Sequence, residues 1–364
     1  MSEFETKVAR LRACCEAGGY QGVALRRRAN FAWLTCGKND TVERCSDYGV
    51  ADLLVTRDRC YVLASEIERY RMMDEEALGA LGFELVTFPW GGHDQQDALD
   101  RLRAGRRMAA DAPIPGFEIR EAEIADLRAV LTPEEVERAR SVARTSARSF
   151  EQVCREVEPG MTEYEAAARL MSGAVRDGGD APVVLVAFDE RMFAYRHPAP
   201  TGRRLQRKAL LVRCFQQHGI IISISRIVSF GEPEAEFRRR YAACARVNAE
   251  FIDATRPGAV ACDVFARGVA AYAAVGYPDE WPRHHQGGAM GYACRDYIAD
   301  ATCRKVVQEN QLFGWNPSIA GTKLEDTILV TRQGQEILTE MPGWPRIEVQ
   351  VNGRSMSCPD VLLR

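Results

Sequence analysis

Three of the five histidines of this 364-residue chain lie in two short polar segments where an imidazole could move protons. His197 follows Arg196 in the proline-rich stretch FAYRHPAP, and His284 and His285 are adjacent in RHHQGG. Imidazole titrates near neutral pH, so these side chains are candidates for acid–base chemistry. Two glycines directly after the histidine pair suggest that the backbone approaches a ligand closely. We expect His197 and His285 to be catalytic and His284 to contact the substrate.

A second group of polar residues lies in GWNPSIAGTKLEDTILV, residues 314–330. The sequence indicates two short β-segments around a turn at Gly321, with Asn316 on the first and Glu325 on the second. A buried glutamate needs a charged partner or a raised pKa, and a raised pKa would let it donate a proton. We expect Glu325 to be the third catalytic residue, Asn316 to bind substrate, and Asp326 to face the other side of the strand.

Arginines and small polar residues supply candidates for substrate binding. Ser223 has a hydroxyl that could orient an amide or carboxylate substrate, and Cys214 is counted with it among the substrate-binding candidates. A guanidinium group forms two parallel hydrogen bonds to a carboxylate, so Arg196, Arg226 or Arg295 could bind an anionic substrate group. Arg196, Arg226 or His285 could also balance the charge of Glu325. Cys214 could be a nucleophile if a neighbouring histidine lowers its pKa.

Composition excludes several classes of protein. The net charge is −3 and the isoelectric point is near 6.1, so the chain has no basic footprint for nucleic acid. The N-terminus lacks the apolar run of a signal peptide, and no stretch of about 18 apolar residues could cross a membrane. The twelve cysteines include no C-x-x-C pair. We therefore expect a cytoplasmic protein with reduced cysteines that acts on a small molecule, without a nucleic-acid or membrane partner.

The elements around these residues indicate an α/β (α+β) chain of two domains. Residues 1–125 mix helices with short strands and end near the turn-rich DAPIPG. Residues 126–364 run helix, helix, strand, hairpin, helix, helix and then strands. Capping boxes, Thr132 with Glu135 and Thr162 with Glu165, mark the first two helices of this part. The segment ALLVRCFQQHGIIISISRIVSFG predicts a long hairpin that turns at residues 216–219.

The order of the motifs EEVERAR, EPGMTEYEAAA, RHPAPT, HHQGGAMGY, WNPSI, KLEDTILVT and GQEILT resembles the creatinase/prolidase/methionine aminopeptidase family, which has the pita-bread fold. The resemblance covers residues 130–345 closely and the first domain more loosely, through NFAWLTCG and DLLVTRDRCYVLAS. It implies a creatinase-type N-terminal domain followed by a pita-bread catalytic domain. Most members are peptidases with two metal ions, held by two aspartates on the hairpin, one histidine and two glutamates.

Two of these five ligands remain at the matching positions, His285 and Glu325. The other three positions hold Ser223, Asn316 and one of Val212, Arg213 or Cys214, and no acid occurs between Glu190 and Glu232. Two divalent cations need several anionic oxygens around them. We therefore expect no dinuclear metal centre and no cofactor, with one ion on His285, Glu325 and Cys214 as the alternative.

Creatinase is the metal-free branch of this family, and its catalytic histidine matches His197. The acids with which creatinase clamps a guanidinium group fall on Ser225 and Asn316, so a cationic substrate does not fit. The sequence thus predicts a metal-independent hydrolase of a C–N bond, of the non-peptide, amide or amidine type, in a small carboxylate-bearing metabolite. The alternatives are a lyase or ring-opening or C–C hydrolase of secondary metabolism, an Xaa-Pro peptidase with residual metal, and a non-catalytic binding protein.

The resemblance also implies a homodimer. In creatinase-type dimers the N-terminal domain of one subunit reaches the site of its partner. Phe31 and Trp33, in the segment NFAWLTCG, could therefore cover the neighbouring pocket, and Trp33 is included among the candidate substrate-binding residues.

Overall fold

Residues near the N-terminus fold around a six-stranded mixed sheet in the computed structural model, which describes residues 1–91 and 94–364. The chain divides into two units, Met1–Glu135 and Val136–Arg364. The boundary predicted at residue 125 falls inside a helix, Glu121–Ala129. No helix in the described ranges is long and apolar enough to cross a membrane.

The first unit carries helices on a sheet of strand order β4-β3-β2-β1-β5-β6. Its helices are α1 (Glu3–Ala17), α2 (Arg28–Leu34), α3 (Asp94–Arg103) and α4 (Glu121–Ala129). Its strands are β1 (Gly22–Arg27), β2 (Tyr48–Thr56), β3 (Cys60–Ser65), β4 (Phe83–Phe88), β5 (Ala109–Ala110) and β6 (Glu118–Ile119). Strand β1 pairs antiparallel to β2 and parallel to β5.

The second unit contains a four-stranded and a five-stranded sheet, ordered β19-β9-β8-β7 and β11-β10-β12-β15-β16, beside two short hairpins. Its helices are α5 (Pro133–Glu156, which begins in the first unit), α6 (Glu163–Arg176), α7 (Arg191–Ala194), α8 (Ala235–Ala254) and α9 (Ala261–Ala274). Its first strands are β7 (Asp180–Phe188), β8 (Lys208–Gln217), β9 (Ile220–Ser229), β10 (Gly287–Met290), β11 (Tyr297–Ile298) and β12 (Leu312–Trp315). The remaining strands are β13 (Ser318–Ile319), β14 (Thr322–Lys323), β15 (Asp326–Thr331), β16 (Gly334–Ile337), β17 (Arg346–Val351), β18 (Arg354–Pro359) and β19 (Leu362–Leu363).

Both predicted capping boxes are present. The backbone N–H of Thr132 donates to Glu135 at 2.8 Å, and the N–H of Glu135 donates to the Thr132 hydroxyl at 3.3 Å. Thr162 and Glu165 make the same reciprocal pair at the start of α6. Each box satisfies backbone donors that the first helical turn leaves unpaired, which fixes where these helices begin.

The predicted hairpin is formed by β8 and β9, which pair over their full length. His218 and Gly219 make its two-residue turn with φ of 51° and 76°. Positive φ at both turn residues matches the right-handed twist of the strands. The turn therefore lies within the predicted residues 216–219.

Strand β9 meets the segment before β15, and this junction positions the polar residues of the candidate site. The N–H of Ser225 donates to the carbonyl of Glu325 at 3.2 Å, and the N–H of Ser223 donates to Thr327 Oγ1 at 2.8 Å. The predicted turn at Gly321, where φ is 88°, joins β13 to β14. The junction therefore brings the hairpin against the strand that carries Glu325.

The glycine pair after the histidines serves strand packing rather than ligand approach. A Cβ atom on Gly287 would lie 2.1 Å from the carbonyl oxygen of Gly314, and one on Gly288 would lie 2.1 Å from that of Tyr297. These oxygens belong to the adjacent strands β12 and β11. The expectation that the glycines make room for a ligand is therefore wrong, because neighbouring backbone already fills that space.

Candidate active site

Three imidazoles from two distant loops converge in the second unit. His197 lies after α7, and His284 and His285 lie between a short 3-10 helix, Trp281–Arg283, and β10. Nε2 of His284 is 3.0 Å from Nε2 of His197, and one possible ligand atom from each of the three rings lies within 4.8 Å of the others. His197 is exposed and His284 is buried, so the cluster opens to solvent at His197.

Burial keeps these histidines neutral. Desolvation, together with the charge of Lys323, lowers the pKa of His284 to about 2. Desolvation and the charge of Arg295 lower the pKa of His285 to about 4, and desolvation also lowers that of His197. At neutral pH the cluster therefore presents uncharged rings with lone pairs, which can accept a proton or bind a cation.

Glu325 is held by two cations and is ionised. Its Oε1 lies 3.2 Å from Arg295 Nη2, and its Oε2 lies 3.3 Å from Lys323 Nζ. Burial alone would raise the pKa of Glu325, but the charges of Lys323 and Arg295 outweigh it and lower the pKa. The suggestion that Glu325 donates a proton is therefore wrong. The suggestion that Arg226, Arg196 or His285 balances its charge is also wrong, because Lys323 and Arg295 do so.

Arg226 lies on the Asp326 side of the segment, away from the Glu325 side chain, and its guanidinium group is hydrogen-bonded there. Its Nη2 lies 2.6 Å from Asp326 Oδ1, and both side chains are 1% exposed. It also donates to the carbonyls of Ser225, Glu325 and Thr339. Asp326 faces away from Glu325 as expected, but Arg226 is unavailable to a substrate because Asp326 neutralises it.

Two further substrate-binding candidates are also occupied. The guanidinium of Arg196 forms an ion pair with Glu280. Trp33 lies on α2 and is fully buried beside Lys7. Neither side chain is free to bind a substrate, and a buried Trp33 cannot cover the site of a second subunit.

Neutral residues line the junction between β9 and the Glu325 segment. The Sγ of Cys214 is 3.1 Å from the hydroxyl of Ser223. A hydrogen bond with Cys294 and burial raise the pKa of the Cys214 thiol, so it is protonated and does not serve as the suggested nucleophile. Asn316 Oδ1 and Ser225 Oγ are buried and have no hydrogen-bond partner in the described part of the chain.

Lys323 is the main site residue that the sequence reasoning missed, together with Cys294. It is 4% exposed, and its ammonium group is one of the two cations on Glu325. Lys323 and Glu325 are two residues apart in an extended segment, so their side chains share a face. That spacing was a usable signal for a charged pair.

Comparison with known proteins assigns the chain to a family. The model of "Metallopeptidase family M24" matches residues 137–332, which is more than half of the chain and includes all three clustered histidines and Glu325. The chain belongs to metallopeptidase family M24. The predicted family and its pita-bread fold are thereby confirmed, and the match supports the coarser prediction of a hydrolase.

The M24 relatives match most of this chain at low sequence identity. An Xaa-Pro dipeptidase of Pyrococcus horikoshii is 23% identical over 75% of this chain and 78% of its own length. An uncharacterized peptidase of Staphylococcus epidermidis is 26% identical over 66% of this chain and 70% of its own. The solved Xaa-Pro dipeptidase of Bacillus anthracis superposes with a TM-score of 0.80 at 17% identity, covering 99% of this chain and 100% of that one. The structural likeness covers both units and establishes the fold.

These relatives overturn the main functional expectation. The sequence predicted a metal-independent hydrolase of a non-peptide C–N bond, whereas the M24 match and the dipeptidase relatives support a peptidase. The inference went wrong because it extended the loss of acidic ligands to a change of reaction. A fold and a ligand count do not by themselves decide the bond that is cleaved.

The centre of two metal ions that the family resemblance implies does not fit the residues of this site. Cys214 and Ser223 are neutral and contact each other, and Asn316 contributes an amide. Glu325, the remaining carboxylate, is already neutralised by Lys323 and Arg295. Two divalent cations would add four positive charges where two cations already share one carboxylate, which is electrostatically unfavourable.

Proposed function

We propose that this M24 chain hydrolyses the amide bond of small peptides with a free carboxyl terminus, and that its substrates are of the Xaa-Pro dipeptide class. Three observations support the proposal. The family match spans the site, the P. horikoshii relative and the B. anthracis structure are both Xaa-Pro dipeptidases, and the site carries an excess of positive charge. The proposal also retains the homodimer and the cytoplasmic location expected from the sequence.

The excess charge is the observation that carries the substrate class. Lys323 and Arg295 both form ion pairs with Glu325, so one carboxylate faces two cations and one positive charge is left over. All three side chains are at most 14% exposed, so water screens the remaining charge weakly. A carboxylate from a substrate would complete the balance, and charge-assisted hydrogen bonds of this kind are worth about 1.5–3 kcal/mol.

The histidine cluster marks the reacting end of the site. The charges of Lys323 and Arg295 both lower the pKa of His197 and of His285, which supports a single site that contains the cation pair and the imidazoles. We propose that a dipeptide binds with its carboxylate at the cation pair and its amide bond at the rings. Fixing one end of a small substrate in this way orients the bond to be cleaved and lowers the entropic cost of reaction.

A panel of paired substrates tests the proposal. Purified protein, supplied in turn with zinc, cobalt or manganese, is incubated with Ala-Pro and Leu-Pro and with the same dipeptides carrying a C-terminal amide. Products are followed by mass spectrometry. We expect hydrolysis of the free dipeptides, with the addition of one water, and about 10- to 100-fold weaker kcat/KM for the amides because the charge contact is lost.

Two results would contradict this function. One is the absence of cleavage for every dipeptide in the panel under all three metals. The other is equal kcat/KM for the free and the amidated forms, which would show that the cation pair does not recognise the carboxylate. Sedimentation velocity on the same preparation tests the homodimer separately.

A further inference from the structure

The three clustered histidines form a set of nitrogen donors that shares only His285 with the ligand set that the family resemblance implies. Each offers one ligand atom, and these atoms lie within 4.8 Å of one another. Two of them, Nε2 of His197 and Nε2 of His284, are 3.0 Å apart. An imidazole binds a metal ion through the lone pair of one ring nitrogen.

These separations suit a single metal ion. Zinc–nitrogen bonds are about 2.0–2.1 Å long, so two nitrogens on a tetrahedral ion lie about 3.3 Å apart. The separation between His197 and His284, 3.0 Å, is close to that value. The other two separations are at most 4.8 Å, so binding in this geometry requires each of them to shorten by roughly 1.5 Å or less.

The hydrogen-bonding states of two ring nitrogens also indicate a ligand at the histidine cluster. Nδ1 of His285 is buried and has no hydrogen-bond partner in the described part of the chain. Buried polar atoms are almost always paired, so a ring nitrogen without a partner calls for an explanation. Nδ1 of His284 lies 3.5 Å from the hydroxyl of Ser318, which leaves its Nε2 facing the cluster. An outer partner on the second ring nitrogen is the usual arrangement for a ligating histidine.

We propose that His197, His284 and His285 bind one divalent transition-metal ion of the zinc and cobalt class. Three imidazoles are borderline donors that favour zinc, cobalt or nickel over magnesium or calcium, and three protein ligands leave a position open. This site differs from the alternative suggested by the sequence, in which His285, Glu325 and Cys214 hold the ion. Glu325 is engaged by two cations, and the Sγ of Cys214 contacts the hydroxyl of Ser223.

The charges around the cluster determine how tightly the ion binds. Arg196 is neutralised by Glu280, but Lys323 and Arg295 share Glu325, so one positive charge remains nearby. This charge opposes a divalent cation. We expect Lys323→Met to tighten metal binding by about tenfold, since it removes one like charge from a buried site.

Metal titration of the protein without substrate tests the site. Chelator-treated protein is titrated with Zn²⁺ and with Co²⁺, by calorimetry and by the visible absorption of Co²⁺. We expect one equivalent per chain and no comparable binding of Mg²⁺. His197→Asn, His284→Asn and His285→Asn should each weaken binding about 10- to 100-fold or more, because each removes one ligand.

His218→Asn is the matched control. His218 lies in the turn of the β8–β9 hairpin with φ of 51°, a conformation that asparagine tolerates. The same substitution there should leave metal binding unchanged. If a cluster variant does not fold, as judged by circular dichroism and thermal unfolding, X-ray absorption on metal-loaded wild-type protein counts the imidazole ligands directly.

The outcomes separate this site from the proposed function, on which its catalytic meaning rests. Two equivalents per chain, no binding, fewer than three imidazole ligands, or binding that survives all three substitutions would overturn the site. One bound ion without cleavage of any dipeptide would leave the site in place and remove the peptidase proposal. Dipeptide cleavage by protein that binds no metal would remove the metal site and leave the peptidase proposal in place.

Discussion

Glu325 and Asp326 are adjacent in the chain, yet their carboxylates lie in different electrostatic surroundings. Asp326 has one cation, Arg226, and also accepts a 2.6 Å hydrogen bond from Thr339. Glu325 has two cations, Lys323 and Arg295, at 3.3 and 3.2 Å. All of these charged side chains are buried or nearly so.

The contrast is between a balanced ion pair and the cluster that we propose as a binding site. The Asp326 pair is balanced one to one, and its arginine is saturated by backbone carbonyls as well. Among the described residues Glu325 is paired with two cations, and an uncompensated positive charge of this kind costs free energy that a bound anion would relieve. Charge imbalance in a buried cluster is therefore a better indicator of function than the presence of an ion pair.

The largest effect should come from breaking the balanced pair. Arg226→Met leaves the carboxylate of Asp326 buried without a cation, so we expect the free energy of unfolding to fall by about 3–5 kcal/mol. Urea denaturation monitored by circular dichroism measures the change. The double variant Arg226→Met/Asp326→Asn should recover part of the loss, because no buried charge remains. A loss below about 1 kcal/mol for the single variant would show that the pair is not structurally important.

Removing one cation from the unbalanced cluster should affect binding rather than folding. Lys323→Met leaves Arg295 and Glu325 as a one-to-one pair, so we expect the free energy of unfolding to change by less than about 1 kcal/mol. The KM for Ala-Pro should rise about 10- to 100-fold, and that for its amide should stay constant. Steady-state kinetics and urea denaturation measure the two quantities.

Arg332→Met is the control for that substitution, since Arg332 is an 80% exposed cation paired with Glu309. It should change neither quantity. The distinction between the two clusters fails if Lys323→Met destabilises the protein as much as Arg226→Met does, or if its KM matches that of the wild type.

The pH dependence of stability should reveal the charge state of Glu325. Its pKa in the folded protein is lower than the ordinary value of 4.5, so folding releases protons in this range and the ionised group stabilises the fold above the unfolded pKa. The stability advantage of the wild type over Glu325→Gln should therefore be complete above pH of about 5 and decrease as the pH falls toward 3, by at most about 1.4 kcal/mol per pH unit. Thermal unfolding across that range measures it. An advantage that grows with acidity would mean that the pKa is raised instead.

The smallest effect concerns two serines on β9. The hydroxyl of Ser225 is buried without a partner in the described chain, whereas that of Ser223 contacts Cys214. Ser225→Ala should leave the free energy of unfolding unchanged or raise it by up to about 1 kcal/mol, while Ser223→Ala should lower it by about 1 kcal/mol. Equal losses for the two variants, measured by urea denaturation, would imply that Ser225 has a partner such as bound water.

Local features of this chain were predictable, and the partners of the site residues were not. The capping boxes at Thr132 and Thr162 and the turn at His218–Gly219 follow from residues within a few positions of each other, and the structure has them. The candidate site residues His197, His284, His285 and Glu325 were also recognisable from their types and motifs. Lys323 was overlooked, and Arg226 and Arg196 were assigned to the substrate although Asp326 and Glu280 bind them.

The sequence by itself determined that Glu325 and Asp326 face opposite ways, because alternation is a local property of an extended backbone. It also determined that the hairpin carries no acid, since residues 191–231 contain none. Only the tertiary structure decided that His197 meets His284, 87 residues away, and that Arg295 joins Lys323 on Glu325 across 30 residues. Such contacts depend on how strands and loops pack in three dimensions. A charged side chain therefore acquires its partner, and with it its pKa and its role, only when the sheets come together.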